Sequence, residues 1–120
     1  MSQENQSSSE FKNWEAVEHE IARSIAESPE PFEPATISNV RDLLRAIPKR
    51  CPLPDGAAKG YWSTIQIWWK GIEIEVFDDR YEWYRFGESK TDIEYFERSH
   101  GTDIPPDLLE KLPKTTTDCA

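Results

Sequence analysis

The chain has 120 residues, of which 37% are hydrophobic, and a formal net charge of −9 at pH 7. That length suits one domain around one core. The acidic balance argues against nucleic acid or anionic membrane as a general partner, because phosphate contacts need clustered Lys and Arg; it suits a protein that meets a basic protein surface.

Residues 1–9 are mostly Ser, Gln, Asn and Glu, with little to bury, and are expected to form a disordered tail ahead of one domain over residues 10–112. No charged segment followed by an apolar run opens the chain, and no stretch approaches the ~20 apolar residues of a membrane helix, so a cytoplasmic protein is expected. Cys51 and Cys119 show neither CxxC nor Cys/His spacing and are read as reduced thiols.

From Asn13 the pattern becomes helical. Trp14, Val17, Ile21 and Ile25 recur at intervals of three and four, which places them on one stripe. Asn13 is a suitable N-cap, and Ser28-Pro29 ends the helix because the residue before a proline disfavours the α conformation. Residues 28–36 carry three prolines and read as an extended strap anchored by Phe32. A second helix is expected over Ile37–Ile47, capped by Thr36 or Ser38, with Val40, Leu43, Leu44 and Ile47 as its apolar stripe and Pro48 as its stop. Residues 48–60, rich in Pro and Gly, read as a loop.

Alternation of period two then takes over. Four strands are expected, at Tyr61–Trp69, Ile72–Phe77, Arg80–Phe86 and Thr91–Glu97. Lys70-Gly71, Asp78-Asp79 and Gly87–Lys90 make the connections, and links this short imply an antiparallel meander. A short helix from Pro106 to Leu112 and a mobile tail over 113–120 complete the reading. The expected fold is α+β: two N-terminal helices packed on a four-stranded antiparallel sheet, with a short C-terminal helix.

Side chains alternate across a strand, so the sequence also assigns faces. Tyr61, Ser63, Ile65, Ile67 and Trp69, with Ile72, Ile74 and Val76, form the oilier set and are expected beneath the helices. The opposite face then holds Trp62, Thr64, Gln66 and Trp68 beside Glu73, Glu75 and Phe77. Aromatic side chains with a charged rim resemble interface hot spots, since Trp brings large area with few rotors to freeze. Trp62, Trp68, Glu73, Glu75 and Phe77 are therefore the candidate partner-binding residues; the alternative is that the strap at Phe32 or the C-terminal helix covers this face as a second layer of packing. Glu73 and Glu75 are expected as an exposed row roughly 6.7 Å apart along the strand. Charge is segregated too. Residues 72–97 carry nine acids against Arg80, Arg85 and Lys90, whereas residues 41–59 carry five bases against Asp42 and Asp55.

Catalysis is not expected. His19 lies between Glu18 and Glu20 on the polar side of the first helix, and His100 lies in a turn before Gly101. No Ser or Cys has a His at motif spacing. Glu73 with Glu75, or Asp78 with Asp79, would need one desolvated carboxyl to work as an acid pair, which an exposed run does not provide. Asp78, Asp79 and Glu82 lack the glycine and ligand spacing of a calcium loop, and no glycine-rich phosphate loop is present, so neither metal nor cofactor is expected.

Leu43-Leu44 on a short helix, Pro54-Asp55-Gly56 in the loop, a Trp-containing strand and the strand Ile72-Glu73-Ile74-Glu75-Val76 span residues 34–86. Together they resemble short bacterial proteins of unassigned function, some carried on mobile elements. The resemblance implies a helix followed by a meander and no particular chemistry. By size and charge the chain is also similar to immunity proteins, antitoxins and phage-encoded inhibitors such as anti-CRISPR proteins. The expected function is that of a small acidic protein whose sheet face, with an exposed sheet edge, docks on a protein partner such as a toxin or a nucleic-acid-handling enzyme. The alternative is a small-ligand-binding or regulatory module whose aromatics line a pocket between sheet and helices.

Overall fold

A computed structural model describes residues 11–99 and 102–114. The expected tail over 1–9, His100, Gly101 and Cys119 lie outside the described residues. Three helices, α1 (Trp14–Ala26), α2 (Pro34–Ala46) and α3 (Pro106–Glu110), accompany five strands. The strands are β1 (Gly56–Lys59), β2 (Ile65–Trp69), β3 (Ile72–Val76), β4 (Arg80–Phe86) and β5 (Thr91–Glu97), paired antiparallel in the order β1-β2-β3-β4-β5. The α+β meander is as expected, but the sheet has five strands rather than four.

The extra strand comes from the segment read as a loop. Gly56–Lys59 pairs with Ile65–Trp69, placing Gly56 opposite Trp68 and Lys59 opposite Ile65. Three Pro and two Gly concealed it: the prolines all precede the strand, and the glycines Gly56 and Gly60 sit at its first residue and just past its last. The strand expected at Tyr61–Trp69 accordingly begins at Ile65. Tyr61, Trp62 and Ser63 belong to the β1–β2 loop, which Gly60 N closes by donating to Thr64 O at 2.9 Å. Tyr61, placed by alternation on the inner face, is 83% exposed, because alternation has no meaning once the chain leaves the sheet.

α1 begins as expected. Asn13 Oδ1 accepts from Ala16 N at 2.9 Å, and Val17 and Ile21 are buried on the stripe that faces the sheet. α2 starts three residues earlier than expected, at Pro34, and neither Thr36 nor Ser38 caps it. A proline fits the first turn of a helix, where its missing N–H has no intrahelical acceptor. Thr36 is instead buried, and the strap shortens to 27–33 with Phe32 buried near its end. α3 ends at Glu110, two residues short of the expected Leu112.

The core lies on one side of the sheet. Val17 and Ile21 of α1, Val40 and Leu43 of α2, and Leu108 of α3 meet Ala57, Ile65, Ile67, Trp69, Ile74, Val76, Tyr81 and Trp83. Each such strand residue belongs to one alternating set, the inner face. Burying each large side chain stabilises the fold by roughly 1.5–3 kcal/mol. Polar groups on this side are tied in: Tyr81 OH donates to Asn39 O at 2.8 Å, and Arg98 donates to Tyr81 OH, to Asp42 and to Thr102 O. Burial pushes the Tyr81 hydroxyl up to about 12, against the pull of Arg98. Lys70-Gly71 turns β2 into β3, and Gly71 takes a φ of 80°, which a side chain would strain. Among the described residues no helix is long and apolar enough to cross a membrane.

Candidate partner-binding face

Among the described residues none of the outer-face side chains joins the core cluster. In-register neighbours define the rows of this face. One row runs Gly56, Trp68, Glu73, Tyr84, Ile93, and the next runs Ala58, Gln66, Glu75, Glu82, Tyr95. Thr64, Phe77, Arg80 and Glu97 continue the pattern, and Phe86 stands opposite Thr91 at the other end.

Trp68 is half-buried because its indole lies across Gly56. A Cβ there would sit 2.1 Å from Trp68 Cζ2, so only a glycine admits the ring. Glu75 was expected to be exposed and is instead 8% accessible. Gly60 permits this, since a Cβ on it would come within 2.8 Å of Glu75 Oε2. Thr64 Oγ1 donates to that same oxygen at 2.6 Å. Directly opposite, Glu82 is equally buried, accepting from Arg80 Nε at 2.7 Å and from the Tyr84 hydroxyl. Buried carboxylates persist only with such donors. Burial, the Glu82 hydrogen bond and the negative field of Glu82 and Glu75 hold the Tyr84 hydroxyl well above its ordinary value. Glu73, between Trp68 and Tyr84, is held above the usual carboxylate range, first by burial and then by the charge of Glu75. The anticipated acidic row is thus a partly desolvated set of carboxylates set among aromatic rings.

Phe77 is half-buried beneath the Arg80 guanidinium, 3.9 Å from its ring centroid. Tyr84 and Phe86 stack at 6.2 Å with an interplanar angle of 3°. Trp62, the remaining candidate, is not on a strand. It stands at the tip of the β1–β2 loop, 64% exposed, edge-to-face with Tyr61 at 4.8 Å. The structure therefore brings Trp68, Glu73, Glu75 and Phe77 onto one surface and sets Trp62 on the loop that borders it.

Reading the first hairpin alone missed Arg80, Glu82, Tyr84, Ile93 and Tyr95. The signal was present. The Asp78-Asp79 turn makes Glu82 the partner of Glu75 and Tyr84 the partner of Glu73, and the Gly87–Lys90 turn carries the same register to Ile93 and Tyr95. Ile93 and Tyr95 are 49% and 66% exposed.

On the opposite side, a groove of about 990 Å³ opens between α2 and residues 98–99 and 102–104. Arg41, Arg45 and Arg98 line it together with Asp42, Asp78 and Asp103, and no aromatic ring among the described residues does. Among the described residues no group of three or more His, Cys, Asp or Glu is placed to hold a metal ion. No family model, no curated protein and no solved structure matches this chain.

Proposed function

We propose that this is a small acidic partner-binding protein whose outer sheet face receives a basic protein surface, and that its sharpest form is an inhibitor or immunity-type protein, anti-CRISPR-like in size and charge, that blocks a toxin or a nucleic-acid-handling enzyme. One observation carries the reading. Among the described residues six large hydrophobic side chains are exposed, and all but Ile37 lie on the outer face or on the loop bordering it. Phe86, Ile93 and Tyr95 flank the carboxylates of Glu73, Glu75 and Glu82 at one side, and Tyr61 and Trp62 stand at the other. Apolar anchors around desolvated charge favour a partner that supplies both apolar area and cations.

The test is capture from lysate of the native source, with wild type beside Trp62→Ala/Glu73→Lys and a control change at Ile37 on α2. A retained protein is purified and its dissociation constant measured against all three chains. Weakening of at least about tenfold by the double change, with the control unaffected, supports the reading; each 1.4 kcal/mol of lost contact gives one such factor. Equal affinity across all three chains overturns it.

A second reading, a small-ligand-binding or regulatory module, draws on the groove beside α2. It predicts a thermal shift with charged metabolites that Arg41→Ala and Arg45→Ala remove. Since no aromatic ring lines that groove, tryptophan fluorescence is a poor reporter of it.

A further inference from the structure

The two edges of the sheet are not alike. β1 is four residues long and lies against α1, whereas β5 is seven residues long and, among the described residues, pairs with β4 alone. Gly87 N donates to Lys90 O, and Arg98 N donates to Asp79 O, bracketing the β4–β5 ladder. Between those bonds Asp92, Glu94 and Phe96 exchange hydrogen bonds with Arg85, Trp83 and Tyr81. Alternation leaves Thr91, Ile93, Tyr95 and Glu97 with N–H and C=O groups directed away from β4. An edge of this length with unpaired ladder groups is a template for another strand.

The side chains say which strand. Ile93 and Tyr95 stand on the outer face, beside the aromatic and acidic rows, and are the exposed apolar residues of the edge. Asp92 and Glu94 point to the other face. Arg85 reaches Asp92 at 2.6 Å with Lys90 at 3.8 Å, and Lys111 reaches Glu94 at 2.8 Å. Both carboxylates remain partly exposed, and each retains acceptor positions that one or two cations do not fill. A second copy of this chain is a poor occupant. Antiparallel pairing of two β5 strands about Ile93 sets Asp92 opposite Glu94, and pairing about Glu94 sets that residue opposite itself. Like charges directly opposed are destabilising, and each chain carries a net charge of −9.

We propose that the open edge of β5 takes up an extended segment of the partner as a sixth strand, with Lys or Arg at positions beside Asp92 and Glu94 and apolar side chains at the intervening positions beside Ile93 and Tyr95. This rests on the reading of the outer face as a partner-binding surface and adds the mode of docking. Backbone hydrogen bonds hold the segment, and alternate side chains select it. The added strand lengthens each row of the outer face by one residue and brings the body of the partner over Tyr84 and Glu73.

The probe is a blocked peptide of alternating Arg and Val, about eight residues long, the length of an ordinary strand. It is titrated into the full chain beside a peptide of the same composition with Arg and Val in separate blocks. Amide hydrogen exchange is followed by NMR. The expected result is slowed exchange at Thr91, Ile93, Tyr95 and Glu97, and affinity for the alternating peptide at least about tenfold above the block peptide. Ile93→Pro removes only an N–H that β4 does not use, at an edge position where proline is tolerated, so the fold survives while addition is blocked. Ile93→Ala keeps the N–H and separates loss of the side chain from loss of the backbone bond. Should Ile93→Pro unfold the chain, an alternating peptide N-methylated on its inward-facing amides blocks addition from the other side. Binding without protection of those four amides overturns the proposal and leaves the face reading standing. Equal binding of the two peptides, or a dimer of this chain that Ile93→Pro dissolves, also overturns it. Failure of the face reading shows separately, as unchanged affinity of Trp62→Ala/Glu73→Lys for the captured partner.

Discussion

The two faces of this sheet are built from the same strands and are comparably rich in aromatic residues, yet they reach opposite solutions. On the inner face Ile65, Ile67, Ile74 and Val76 are fully buried by helices, and Trp69 donates its ring N–H to Pro52 O at 2.8 Å. On the outer face, among the described residues, no side chain joins that core. Trp68 folds onto Gly56, Arg80 covers Phe77, and Glu75 and Glu82 take donors from Thr64, Arg80 and Tyr84. Coverage by another element makes a dry core, whereas self-coverage makes a surface that is half-buried, charged and still open at its margins. The margins are where Phe86, Ile93, Tyr95 and Trp62 remain exposed.

The sharpest way to break this contrast is truncation on each side. Ile74→Ala should cost about 2–5 kcal/mol in urea denaturation, the range for large-to-small changes in a covered core. Ile93→Ala should cost within about 0.5 kcal/mol. Comparable losses at the two positions would mean that the outer face is as firmly packed as the inner one. The next effect tests self-coverage. Gly56→Ala must push the Trp68 indole off its seat, with an expected loss of about 1–3 kcal/mol and a red shift of tryptophan emission. Unchanged emission would show that the ring does not lie across Gly56.

Smaller again is the hydroxyl that satisfies Glu75. Thr64→Val keeps the shape and removes the donor, so a loss of about 1–2 kcal/mol is expected from a buried carboxylate deprived of a partner. Pairing it with Glu75→Met, which keeps the length and removes the acceptor, in a double-mutant cycle isolates the bond, and additivity would deny the coupling. The smallest effect is a pH dependence at Glu73. Its carboxyl is raised in the folded state, so the folded chain binds more protons than the unfolded chain above the ordinary value of 4.5. This residue's contribution to stability is therefore fully present below that value and is lost as pH rises through the folded pKa. Glu73→Gln should flatten that decline, raising the urea midpoint near neutrality and leaving it unchanged in acid. Identical pH profiles for the two chains would place Glu73 in water.

Much of this contrast can be read from the residues. The stripe of Val17 and Ile21, the stop at Pro48 and the three short turns suffice for two helices and a meander, since each depends on neighbours a few positions apart. Alternation within β2 and β3 separates Ile65, Ile67 and Trp69 from Gln66 and Trp68 correctly. It misleads at Tyr61 and Trp62, where the chain is a loop and the period of two no longer applies. β1 was hidden because Gly56-Ala57-Ala58-Lys59 has little intrinsic strand preference. It is a strand because β2 offers it a ladder and α1 covers Ala57. Glu82 and Tyr84 were legible through turn arithmetic, whereas the burial of Glu75 was not, because it depends on Gly60 leaving room beside the strand.

The sequence by itself determined what local geometry determines: helical stripes, alternating faces, the register across tight turns and the acidic surplus of the sheet. Only the tertiary structure decided that a fifth strand would pair at one edge and leave β5 at the other, and that Glu75, expected in water, would be nearly buried opposite Glu82. Periodicity is a property of neighbouring residues along the chain, whereas burial is a property of whatever distant segment arrives above them.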